Sequence, residues 1–131
     1  MKMQKELSVY LKQILQAAQY IRLYTDKMDY GQFSADTKTV QAVVFNLFLI
    51  GENATHILKS YPEFAEETKY LNWIGMRGVL RNRIAHGYFE MNLSVVWETV
   101  LNVIPAMSAD ISNLLEQLSI DEEHDNSCHH F

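Results

Sequence analysis

Val40-Gln41-Ala42-Val43-Val44-Phe45-Asn46-Leu47-Phe48-Leu49-Ile50-Gly51-Glu52-Asn53-Ala54-Thr55-His56-Ile57 is the stretch whose reading decides the fold. Val40, Val43, Leu47, Ile50, Ala54 and Ile57 recur at alternating spacings of three and four, which lays one apolar stripe along an α-helix. Val44, Phe45, Phe48 and Leu49 widen that stripe, so this helix is expected to be the most buried of the chain. The apolar run from Val40 to Ile50 carries Gln41 and Asn46 and is far too short to cross a bilayer. Asp36 is the expected N-cap. Tyr61-Pro62-Glu63 closes the helix, and Pro62 can open a short helical turn through Glu67.

Working outward, Leu7, Leu11, Ile14, Ala18 and Ile21 form the stripe of a preceding helix, which ends at the turn signal Asp29-Tyr30-Gly31. A third helix is expected from about Lys69 to His86, with Trp73, Met76, Leu80 and Ile84 facing inward and Gly87 as its stop. Gly75 and Gly78 each cost that helix up to roughly 1 kcal/mol of propensity, so packing must hold it, or their bareness admits a neighbouring helix. Asn92 caps a fourth helix carrying Leu93, Trp97, Val100, Ile104, Met107, Ile111, Leu114 and Leu118, kinked at Pro105 where the stripe continues in phase. There is no period-two strand pattern, internal repeat or long linker. The expected fold is all-α: an antiparallel, up-down bundle of four main helices plus a short extra one over residues 1–120, followed by a polar, disordered tail over 121–131.

A chain of 131 residues makes one domain with a core of its own. With 48% hydrophobic and 21% charged residues its composition is that of a soluble globular protein. Met1-Lys2-Met3-Gln4-Lys5-Glu6 leads straight into an amphipathic pattern with no signal-peptide core, and no membrane association is expected. Cys128 is the single cysteine, which excludes an intrachain disulfide and fits a reducing, cytoplasmic location. A net charge of −5 argues against indiscriminate nucleic-acid binding. The charge is uneven, however. From Lys69 to Tyr88 the charged residues are Lys69, Arg77, Arg81 and Arg83, while acids gather at Glu63, Glu66 and Glu67 and in Asp121-Glu122-Glu123-His124-Asp125. Such a basic patch suits one phosphate, a short RNA segment or an acidic protein, and charge alone does not choose.

The chemistry concentrates in Arg81-Asn82-Arg83-Ile84-Ala85-His86-Gly87-Tyr88. An imidazole in the last turn of a helix meets carbonyls that favour its positive charge, so it titrates near neutrality and is suited to proton transfer. Asn82, four residues earlier on the same face, can orient the ring of His86. Arg81 lies roughly 140° further round an ideal helix. Either its side chain wraps round the helix, or the site is completed across an interface. Arg77 and Arg83 extend the basic surface and are the candidate RNA-binding residues should the ligand be RNA. A guanidinium on a phosphate and a histidine that moves a proton suffice for RNA cleavage without a metal or other cofactor, because the RNA 2′-hydroxyl is an internal nucleophile.

The octet resembles the active-site pattern of HEPN-superfamily toxins of the HepT type. The resemblance extends to Ile50-Gly51-Glu52-Asn53-Ala54, to Trp73 before the octet, to Tyr88-Phe89 after it, and to Trp97 followed by Pro105, so that it spans about Leu7 to Leu118. It implies a HEPN-like bundle and a metal-independent endoribonuclease in which His86 is the acid/base and Arg81 the phosphate-binding group. Asn82 would support them. Glu52 either supports the site by pairing with Arg81 or Arg83, or solvates the edge of its own helix. It also implies a homodimer with two motifs lining one cleft, and an MntA-type nucleotidyltransferase antitoxin that adenylylates Tyr88, as in a type VII toxin–antitoxin system. The competing class is a non-catalytic nucleotide- or substrate-binding subunit of a nucleotidyltransferase pair. His56 reads as a surface or packed histidine. Tyr20, Tyr24 and Tyr30 read as interface or core-edge aromatics, or as rings on which RNA bases stack. His124, Cys128, His129 and His130 lie outside the resemblance, and no metal site is expected from them.

Overall fold

The computed structural model describes residues 2–79 and 92–129, with side-chain surroundings over 4–78 and 92–121. Every regular element among the described residues is helical: α1 (Lys2–Thr25), α2 (Tyr30–Ala35), α3 (Thr37–Ser60), α4 (Pro62–Glu67), a 3₁₀ turn (Lys69–Leu71), α5 (Trp73–Val79), α6 (Leu93–Asn102) and α7 (Ile104–His129). The all-α class is as expected.

The hub is α3, which packs against α1, α2, α4 and α5, while α7 covers the other flank of α1. Its stripe is buried throughout, as are Leu7, Leu11, Ile14, Ala18 and Ile21 of α1. Each valine, leucine or isoleucine among them removed from water contributes about 1.5–3 kcal/mol. Two polar residues share the buried face of α3, and both are satisfied within the helix. Asn46 Nδ2 donates to Ala42 O and Asn53 Nδ2 to Leu49 O, each at 2.8 Å. The stripe is narrower than expected: Phe45 is 59% exposed, because it sits on the side of α3 opposite Val43 and Leu47. The start of α1 lies beside the end of α3, so the two are antiparallel. Tyr10 stacks on His56 with ring centroids 5.0 Å apart, and Tyr61 Oη donates to a Glu6 carboxylate oxygen at 3.5 Å.

Asp36 caps α3 as expected, its carboxylate accepting from Thr39 N at 3.1 Å. That bond holds its pKa below the ordinary value. A depressed carboxylate adds stability above its unfolded pKa of roughly 4 and loses it as pH falls through the lower folded value. Asp36→Asn keeps an acceptor without the titration, so its melting temperature should fall less than that of the wild type between roughly pH 5 and 2; an equal fall in both would refute this origin.

Three boundaries differ from expectation. Asp29-Tyr30-Gly31 is the start of α2 and not merely a turn. Asp29 accepts from Gln32 N at 2.8 Å while Gln32 Oε1 accepts from Asp29 N at 2.9 Å, a reciprocal capping box. This short helix inserts Phe33, fully buried, into the core. The expected fourth helix is two, joined at Val103. Pro105 has no N–H to return to the carbonyl of Leu101, so the ladder breaks. The stripe nonetheless stays in phase, with Val100, Ile104, Met107 and Ile111 all buried. Finally, α7 continues past Ile120 to His129 where a disordered tail is expected; segment 121–129 contains no glycine or proline to stop it. No helix among the described residues is long and apolar enough to cross a membrane.

Candidate active site

The chain approaches the octet through α5, whose anchor is Trp73. The indole is 2% exposed, and its Nε1 donates to Thr68 Oγ1 at 2.9 Å. Thr68 in turn donates to Phe64 O at 2.7 Å, and the ring packs tilted against Phe64 at 6.3 Å. Met76, one turn on, is also buried. The helix does not begin at Lys69 as expected. Asn72 adopts a left-handed conformation (φ 53°, ψ 55°) that closes the 3₁₀ turn, which asparagine tolerates better than most residues. Its Oδ1 then accepts from Gly75 N at 3.1 Å and caps α5.

Gly75 is bare for a local reason. A Cβ there would collide with the Asn72 side chain and not with a neighbouring helix. Gly78 has nothing within 4 Å of such a Cβ among the described residues, so a close helix approach is not what either position shows. Gly75→Ala should therefore displace the cap and destabilise by about 0.5–2 kcal/mol, reversing the roughly 1 kcal/mol gain usual for this change in a helix interior. Equilibrium urea unfolding decides the sign.

The chain returns from the octet at Asn92. Its Oδ1 accepts from Ser94 N at 3.0 Å and from Ser94 Oγ at 2.6 Å, capping α6. One turn on, Trp97 stacks on Phe33 with centroids 4.9 Å apart, which ties α6 to α2. Both flanks of the octet are thus held by a tryptophan seated in the core.

Arg81, Asn82, Arg83, His86 and Tyr88 lie outside the described residues, as do Leu80, Ile84 and Gly87. Of the other candidates, Arg77 is half-buried in the last turn of α5. Glu52 is exposed on α3 and makes no ion pair with a described residue. His56 is exposed and stacked on Tyr10, the surface role expected of it. Lys69 pairs with Glu66 at 3.3 Å, so the stretch without acids in sequence is not without them in space. This pair is well exposed and contributes at most about 1 kcal/mol. Among the described residues no group of three or more His, Cys, Asp or Glu is placed to hold a metal ion.

A groove of about 430 Å³ lies between α3, α5 and the α6–α7 joint, floored by Leu47, Ile50, Met76, Ile104 and Met107. Its described lining is mainly apolar, with Asp110 at one side. Two features escaped sequence reading. Asn72 as a combined stop and cap has only a weak signal, an asparagine three residues before a glycine. The helix that carries Phe33 had a signal that went unread, since Asp29-x-x-Gln32 has the capping-box form.

The chain matches the family model described as Ribonuclease HepT-like over residues 14–114, which takes in the second half of α1, all of α2 to α6 and the first part of α7. It is 30% identical to a protein of Methanocaldococcus jannaschii named as a candidate RNase, over 91% of this chain and 95% of that protein. A candidate RNase of Caldanaerobacter subterraneus is 29% identical over 82% and 93% of the two chains. A protein of Thermococcus cleftensis named probable ribonuclease HepT is 29% identical over 80% and 92%. No solved structure gives a significant match. The Gly-Glu segment on α3 and the octet, with a core tryptophan on either side of it in sequence, fall within the matched span, and the chain belongs to the HepT-like ribonuclease family.

Proposed function

We propose that this protein is a cytoplasmic, metal-independent endoribonuclease toxin, in which Arg81 binds the scissile phosphate and His86 moves the proton, with Asn82 and Glu52 in support. The observation that carries the reading is the octet itself, which falls inside the family match at residues 14–114. Cleavage needs only a base for the 2′-hydroxyl and positive charge at phosphorus, and His86 and Arg81 supply both. The roughly 140° between Arg81 and His86 on an ideal helix favours a homodimer in which two motifs complete one cleft. Arg77 and Arg83 add positive charge along the RNA path.

The proposed partner is a nucleotidyltransferase of the MntA type that adenylylates Tyr88. Phosphate placed at the mouth of a basic cleft repels the RNA backbone and blocks entry. Purified protein should cleave RNA in EDTA and leave 2′,3′-cyclic or 3′-phosphate ends, and its expression alone should arrest growth. Absence of both would favour the adaptor class, a bundle that binds nucleotide or substrate for a separate transferase. Tyr88→Phe should keep its cleavage activity in the presence of the transferase and ATP, while the wild type loses its own. Intact-mass analysis showing adenylyl groups on the variant would move the modification site elsewhere.

A further inference from the structure

The outer side of α3 carries a line of exposed residues that the core does not use. Lys38, Phe45 and Glu52 are all exposed and follow one another at intervals of seven residues. Residues so spaced stay on one side of a helix, drifting by only about 20° per interval. The ring of Phe45 stands at the midpoint, 59% exposed. Neither Lys38 nor Glu52 forms an ion pair with a described residue. Asp36, two residues before Lys38, has its carboxylate on Thr39 N at the cap.

The aromatic character extends to α1. Tyr24 lies two intervals of seven after Tyr10, and so on nearly the side of α1 that meets His56. About 21 Å along both antiparallel helices bring it from the level of His56 to that of Ala42, one turn from Phe45. Tyr24 and its stacking neighbour Tyr20 are 39% and 41% exposed, with ring centroids 5.8 Å apart.

The order of charge along the line decides what can cover it. A twofold axis through Phe45, perpendicular to α3, sets a second copy of this helix antiparallel to the first. Phe45 then faces its own counterpart. Lys38 of each copy comes opposite Glu52 of the other, because both stand seven residues from the axis. Parallel pairing would instead set like charge on like at both ends. The drift of the line is taken up by a left-handed crossing of about 20°. The line is thus complementary to its own reversed copy.

We propose that two copies of this chain pair antiparallel through the outer side of α3, about a twofold axis at Phe45, with Lys38 of each copy on Glu52 of the other. The proposal deepens the homodimer of the proposed function, rests on that reading, and assigns the face on which the copies meet. Glu52, which supports the octet in that reading, then stands at the interface, where a cleft completed by two copies needs it.

Sedimentation velocity on full-length protein at micromolar concentration tests this, with circular dichroism as the control for folding. The wild type should sediment as a dimer. Lys38→Glu and Glu52→Lys should each raise the dimer Kd by about tenfold or more, since a twofold axis makes every swap count twice. Phe45→Ala should weaken it by about tenfold, as loss of a central aromatic anchor does. A Lys38→Glu chain carries acids at both ends of the line and a Glu52→Lys chain carries bases at both. Mixed in equal amounts, they should therefore form a heterodimer. Two weakened single variants whose mixture stays monomeric would overturn the antiparallel pairing. Variants as dimeric as the wild type overturn the face while the homodimer itself stands. If Phe45→Ala is among them and loses affinity for the transferase instead, the face belongs to that partner. A monomeric wild type overturns both the proposal and the homodimer. None of these measurements uses cleavage, so a failure of the ribonuclease reading is seen separately, as absence of RNA cleavage by the wild type.

Discussion

His86→Ala is expected to lower RNA cleavage by about 10²–10⁴-fold, the usual contribution of a positioned general acid or base. Arg81→Ala should cost about 10²–10³-fold, as does removal of one group that stabilises charge in the transition state. The two losses differ in kind. Without the imidazole, the limb of the pH–rate profile that reports its titration should disappear, because no group remains to exchange a proton near neutrality. Without the guanidinium, that limb should remain and saturation by RNA should weaken. The polar contacts of the described core that flank the octet run through Trp73, Thr68, Asn72 and Asn92, and both variants keep all four residues. Melting temperatures should therefore stay close to that of the wild type. Cleavage that persists in both folded variants would remove the assignment of these residues.

Trp73→Ala should have the opposite signature, a large loss of stability. The side chain is among the largest fully buried in the protein, and truncating such a residue typically costs about 3–5 kcal/mol through lost transfer energy and the cavity left behind. Against a total of about 5–15 kcal/mol for a domain, that is enough to unfold a sizeable fraction of the chain near physiological temperature. Trp73→Phe retains most of the apolar contact and removes the indole donor to Thr68. It should cost about 0.5–1.5 kcal/mol for that bond, together with a smaller packing loss. Urea unfolding of the two variants separates packing from hydrogen bonding. Activity should fall in step with the folded fraction, since Trp73 positions α5 and touches no RNA. A Trp73→Ala protein as stable as the wild type would mean that α5 is not held by this residue.

These contrasts show how unevenly the protein can be read. The stripes of α1 and α3 were legible because a helix surrounded by other helices must bury a face at its own period; Leu11, Ile14, Val43 and Ile57 are all buried as their spacing requires. Asp36 and Asn92 were legible as caps because a short polar side chain before an apolar stripe has a local task. Phe45 was misread, since an apolar residue beside a stripe looks the same in sequence whether it faces the core or the surface. The start of α5 was misread at Asn72, which combines a left-handed backbone with a side-chain cap on Gly75 N, a pairing that residue identity alone does not announce. Of the candidate site, Glu52 and Arg77 have described surroundings, and neither forms an ion pair with a described residue.

Residue order by itself determined the helical class, the buried stripes and the concentration of Arg81, His86 and Tyr88 in one octet, because periodicity and chain proximity are local properties. Only the tertiary structure decided that Phe33 meets Trp97, that Thr68 receives the Trp73 indole, and that α1 and α3 run antiparallel with Tyr10 beside His56. Those pairings join residues from different elements, and their geometry follows from how whole helices fill space against one another.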